Sequence, residues 1–262
     1  MSYKINARHL VLDLMYASPH STISIKRMLC AAQLLGISDN GIRVAVTRLC
    51  QENIIRAVER GVYQLVQKKF DSAFISLKKT PQMQFSECWE KGYLLAYSGH
   101  LGRVDRTALS KREKTFQYYG FKPIEQNLYV RPDNLGLTLS DLKQHMVKFG
   151  CEAELRLFKV SELDQGINIQ ALWDIKYLNQ QYLATIQHIQ NWFNALAKMN
   201  LQQAALSSFE VGKAGIFAMR SDPLLPSEWI DTHARQSCEE MVQKIEKEGI
   251  LVWEKLFQQY GV

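Results

Sequence analysis

Between Ser38 and Val66 the chain changes its apolar period, and this change restricts the available folds more than any other feature. In SDNGIRVAVTRLCQENIIRAVERGVYQLV the first half repeats every three or four residues and the second half alternates. Ser38, Asp39 and Asn40 are capping residues that open a helix running to about Glu52. At 100° per residue, Ile42, Ala45, Val46 and Leu49 share one side, and Asn40, Arg43, Val44, Thr47, Arg48 and Gln51 share the other. IIRAV and VYQLV, joined through ERG, then read as a two-stranded hairpin with Gly61 free to take positive φ. A helix with a committed inner face running straight into an antiparallel pair points to an α+β chain.

Two shorter helices precede this segment. ARHLVLDLMYA spans Ala7 to Ala17, and Ser24 caps SIKRMLCAAQLLG, which Gly36 ends. Three helices followed by a hairpin make the winged form of the helix-turn-helix. The outer face of its third helix holds two guanidinium groups, a hydroxyl and amides, side chains that reach guanine, adenine and phosphate. Arg43, Thr47, Arg48 and Gln51 are therefore the candidates for the major groove, with Asn40 near the helix start. Lys26 and Arg27 are candidates for phosphate, and Arg60 at the hairpin tip for backbone or minor groove. Strand alternation leaves the side taken by Arg56 open. Charge is distributed accordingly: through Thr80 there are twelve basic and five acidic residues, whereas the whole chain is only +6. The alternative for the same residues is a winged-helix scaffold for protein partners, with its arginines merely solvated.

KKFDSAFISLKKTPQMQFSE reads as a connector. Beyond it, GYLLAYS, RTALSKREKTFQYYG, a strand near Phe121 to Ile124, NLYVRP, LSDLKQHMVKFG and AELRLFKV give the order β-α-β-β-α-β of a ferredoxin-like domain. From Asn168 onward the chain is helical, interrupted by the proline-punctuated RSDPLLPSEW. The expected domains are residues 1–68 (winged helix-turn-helix), 69–165 (connector plus ferredoxin-like) and 166–262 (helical). Trp173, Trp192, Trp229 and Trp253 lie in the last of these, where core packing and an aromatic-lined ligand pocket are both open readings.

Other classes find less support. Five cysteines are odd in number, scattered and never CxxC, which argues against a disulfide framework or a zinc site. Asp13 interrupts the apolar part of the N-terminus, no run approaches a membrane span, and a cytoplasmic protein is expected. The six histidines do not cluster with cysteines or carboxylates, and no phosphate loop or GxSxG motif occurs. No enzyme activity and no cofactor are expected.

These segments together resemble the PaaX-type repressors of phenylacetic acid degradation operons. The resemblance runs over nearly the whole length. It includes IRVAVTRLCQENII, the strand and helix order of the middle unit, ALWDIKYLNQQY and, most specifically, RSDPLLPSEWIDTHAR, where Asp222, Pro223, Leu225, Pro226 and Trp229 match the family's loop. It implies a winged helix, a middle domain similar to the small CRISPR-associated nucleases, and a helical C-terminal effector and dimerisation domain. It further implies a homodimer on a palindromic double-stranded operator, released by an aryl-acetyl-CoA or related small-molecule effector. Trp173, Tyr182, Arg220 and Trp229 are the effector-binding candidates. The chain departs from the family at Trp229-Ile230-Asp231, where Trp-Pro-Gly is frequent, and at GKAGIFAM, where an aromatic-arginine stretch is frequent. The related nuclease class implies a rival activity, metal-dependent cleavage by a carboxylate at the end of the first strand. GYLLAYSGHLG offers no carboxylate before Asp105.

Overall fold

A computed structural model describes residues 6–66, 89–164, 166 and 168–262. The connector and its lysines at 68, 69, 78 and 79 lie outside the described residues, as does Lys4. The chain divides into two compact units, and the boundaries do not follow its linear order. One gathers Met1–Ile75, His188–Lys213 and Val242–Val262; the other gathers Ser76–Gln187 and Ala214–Met241.

In the first unit, α1 (Ala7–Ala17), α2 (Ile25–Leu34) and α3 (Asp39–Gln51) pack on one another. Each start is capped as its sequence allows: Asn6 accepts from the His9 amide, Ser24 from Arg27 and Ser38 from Gly41. Leu10, Val11, Met15, Met28, Ala31, Ile42 and Leu49 are buried. Strands β2 (Ile55–Glu59) and β3 (Val62–Leu65) form the expected hairpin, with Gly61 at φ +76°. A third strand, β1 (Thr22–Ser24), pairs antiparallel with β3 and gives the sheet order β1-β3-β2. At three residues it is too short to show a period, so the sequence offered no signal for it.

Residues of three long C-terminal helices, α6 (Ile175–Leu196), α7 (Leu201–Ser221) and α8 (Thr232–Gln259), complete this unit. Lys213 bonds Asp13 at 2.9 Å, and Trp192 Nε1 donates to Ser207 Oγ at 2.9 Å. Each of the three helices carries residues of both units.

The second unit has the strand and helix order expected from Gly92 to Val160: β4 (Tyr93–Tyr97), α4 (Arg106–Tyr118), β5 (Lys122–Glu125), β6 (Leu128–Pro132), α5 (Leu139–Phe149) and β7 (Arg156–Val160). Its four-stranded antiparallel sheet is ordered β5-β6-β4-β7. Leu94 and Ala96 face a core with Phe116 from α4, Tyr119 just past its end, and Leu142 and Met146 from α5. Tyr93, Leu95 and Val130 face a second core with Ile169, Trp173, Leu225 and Ile230.

The loop Asp222–Pro226 is fastened to this sheet by buried polar groups. Arg131 on β6, fully buried, donates to the carbonyls of Tyr119, Pro132, Pro223 and Leu224 and to Asn134 Oδ1 at 2.7 Å. Burial pulls its guanidinium down to about 9, which leaves it charged at neutral pH. Asn134 also donates to the Leu224 carbonyl, at 2.9 Å. From the loop side, buried Asp222 accepts from Arg235 Nε at 2.6 Å and from the Leu224 amide at 2.8 Å. Leu224 stands at φ +53°, and the two consecutive leucines enter different cores, Leu224 that of α4 and α5 and Leu225 the opposite one. Among the described residues, no helix is long and apolar enough to cross a membrane.

Candidate nucleic-acid interface

The outward face of α3 carries every group assigned to it. Asn40, Arg43, Thr47, Arg48 and Gln51 are exposed, and Val44 among them is 41% exposed. The opposite face is closed: Ile42 and Leu49 have no exposure, and Ala45 and Val46 are buried. Helix α3 therefore cannot turn its arginines inward without exposing four core residues.

Charge along this face is not paired at contact distance, although Arg48 acts on Glu52 through space. No described carboxylate lies within ion-pair distance of Lys26, Arg43, Arg48 or Arg60. The nearby acid, Glu52, is engaged by Arg8 through two bonds of 2.8 and 2.7 Å, which hold its carboxyl below the usual range. This pair also joins the start of α1 to the end of α3. Thr47 Oγ1 donates to the Arg43 carbonyl at 2.9 Å, so its hydrogen is spent within the helix.

The hairpin is held beside the start of α2, where the Ile25 amide donates to the Gly61 carbonyl at 2.8 Å. Arg60 is exposed at the tip. Arg56 is exposed too, and its Nη2 donates across the strand pair to Gln64 Oε1 at 2.8 Å.

Lys26 and Arg27 fare differently. Lys26 is exposed. Arg27 is half-buried, donates to Glu254 at 2.7 Å, and lies 5.0 Å from the centroid of the Phe257 ring. A guanidinium held by a carboxylate and a ring face serves packing first.

Of the four effector candidates, Trp173 and Trp229 share one apolar cluster. Trp173 is buried and Trp229 half-buried, with centroids 5.8 Å apart, and Trp89 meets Trp229 edge-on at 5.0 Å. Tyr182 is buried beside Asp222, and burial pushes its hydroxyl far up. Arg220 acts on Tyr118, whose hydroxyl burial pushes up to about 12. Sequence reasoning missed Arg131 and Asn134, although a strand reading LYVRP with apolar neighbours shows that Arg131 shares its side with Tyr129.

Where β4 ends, the residue is Ser98, and its carbonyl accepts from Arg112 Nη1 at 3.4 Å. Arg112 is buried and also bonds Gly102 O at 3.0 Å and Glu152 Oε1 at 2.9 Å. Asp105 is used as the cap of α4, accepting from the amides of Thr107 and Ala108. Among the described residues, no group of three or more His, Cys, Asp or Glu side chains could hold a metal ion.

No family model matches the chain, and no curated protein matches it. Among solved structures it is similar to the uncharacterized protein Rv0674 from Mycobacterium tuberculosis, with a TM-score of 0.57 and 18% identity. That match covers 94% of this chain and 98% of the other.

Proposed function

We propose that the chain is a DNA-binding transcriptional regulator of the PaaX type, acting as a cytoplasmic homodimer on a palindromic operator. The observation that carries this reading is the face of α3: two arginines without ion-pair partners among the described residues, on a helix whose other side is wholly committed to packing. In this reading α1 to α3 with the three-stranded sheet are a winged helix-turn-helix, and the four-stranded sheet with α4 and α5 is a ferredoxin-like domain. The strand orders β1-β3-β2 and β5-β6-β4-β7 support both assignments.

Arg43 and Arg48 then read base edges, with Asn40, Thr47 and Gln51 beside them. Lys26 and Arg60 neutralise phosphates, and Arg27 supports the helix that carries Lys26. A small-molecule effector, an aryl-acetyl-CoA or a relative of it, meets the second unit at Trp173 and Trp229. Helices α6, α7 and α8 supply a route for coupling, since each contributes residues to both units. In this reading the middle domain binds no catalytic metal; where β4 ends, the Ser98 carbonyl accepts from Arg112, which is paired with Glu152.

The test is selection of bound sequences from a random duplex pool, followed by titration of Arg43→Ala and Arg48→Ala on the selected duplex. Each substitution is expected to weaken binding by about 1–3 kcal/mol if that arginine pairs with a guanine. Unchanged affinity in both variants, or no enrichment at all, would overturn the assignment.

A further inference from the structure

Val44 lies at the centre of the exposed face of α3, away from the buried side formed by Ile42, Ala45, Val46 and Leu49. It is 41% exposed, with Asn40 one turn before it, Thr47 and Arg48 one turn after and Gln51 two turns after. Valine is a poor choice for a solvent-facing helical position, because its branched side chain loses rotamer freedom there. Its neighbour Thr47 has already given its hydroxyl hydrogen to the Arg43 carbonyl, at 2.9 Å. The centre of the face thus offers an apolar surface, with a guanidinium on either side.

A major groove presents only one apolar group, the C5-methyl of thymine. We infer that Val44 recognises this methyl group, so that the preferred site carries thymine beside the guanines taken by Arg43 and Arg48. The inference rests on the DNA-binding reading above. Arg43 and Arg48 are five residues apart, about 7.5 Å along the helix. Base pairs rise about 3.4 Å. The thymine therefore falls within about two base pairs of a guanine.

Deoxyuridine lacks this methyl group and otherwise pairs as thymidine does, which makes the experiment direct. In the duplex selected from the random pool, each thymidine is replaced singly by deoxyuridine and the affinity of the full chain is measured. One or two replacements are expected to weaken binding about fourfold, the value of a buried methyl group. Val44→Ala is expected to bind those duplexes and the parent duplex equally. The inference is overturned if every deoxyuridine duplex binds the wild-type chain as the parent does, an outcome that needs no variant to fold. It is overturned as well if Val44→Ala, with an unchanged helical spectrum, keeps the full deoxyuridine penalty. Failure of any duplex to be enriched would instead bring down the DNA reading and this inference together.

Discussion

Arg27 Nη1 donates to Glu254 Oε1 at 2.7 Å, joining the second helix of the chain to its last across 227 positions of sequence. The same guanidinium covers the Phe257 ring. Lys26, its immediate neighbour, is exposed and forms no such pair among the described residues. Two adjacent cations thus have separate tasks, and they can be told apart. Arg27→Ala is expected to lower stability by about 1–2 kcal/mol through lost packing and charge pairing. It should leave the salt dependence of DNA binding as it was. Lys26→Ala should do the reverse, reducing the slope of log affinity against log salt by about one. Urea titration and binding at several salt concentrations separate the two.

Arg131→Met removes the donor from four carbonyls and from Asn134. Methionine fills much of the volume and replaces none of the bonds. A loss of about 3–5 kcal/mol is expected. Asn134→Ala, which gives up the bond to Leu224, should cost about 1–2 kcal/mol. A smaller urea midpoint shift for Arg131→Met than for Asn134→Ala would show that the loop is held by other means.

Two glycines at nearly the same φ separate backbone strain from collision. Gly36, at +69°, would place a Cβ in open space, so Gly36→Ala should cost only the left-handed penalty of about 1 kcal/mol. Gly120, at +72°, would place a Cβ 2.5 Å from the Pro223 carbonyl oxygen. Gly120→Ala should cost about 3 kcal/mol or more, since the obstacle is backbone fastened by Arg131. Thermal melts of the two variants provide the comparison, and equal losses would contradict it.

Burial pushes the thiols of Cys151 and Cys238 up to about 11. A raised pKa keeps the thiol protonated, so the thiolate fraction at pH 8 is only about one part in a thousand. Both cysteines should resist a thiol reagent at pH 8 in the native protein and react on unfolding. Reactivity should climb as pH rises towards 11. Peptide mapping after a timed alkylation checks this, and rapid native labelling of either residue at pH 8 would refute it.

The two faces of α3 were legible because helical spacing and burial agree residue by residue, from Ile42 to Leu49. The order of elements from Tyr93 to Val160 was legible for the same reason, with Gly120 and Gly150 marking helix ends. Contacts distant in sequence were not. Nothing near Arg27 indicates Glu254, and nothing near Asp222 indicates Arg235 or the carbonyl-rich surroundings of Arg131. Local period reports which side of an element is buried, not what meets it there. RSDPLLPSEW was distinctive as a string, yet only the bonds of Asp222 and Leu224 give that string a physical meaning.

Surface loops ordinarily absorb an inserted residue with little harm, because neither end depends on the spacing within. The Leu224–Leu225 peptide is a different case, since its two side chains supply opposite sides of one sheet. One residue inserted between them would shift a leucine out of one core or the other and misalign the Leu224 carbonyl with both of its donors. The length of this segment is therefore as constrained as that of a central strand, and gaps in related chains should fall on either side of it rather than within.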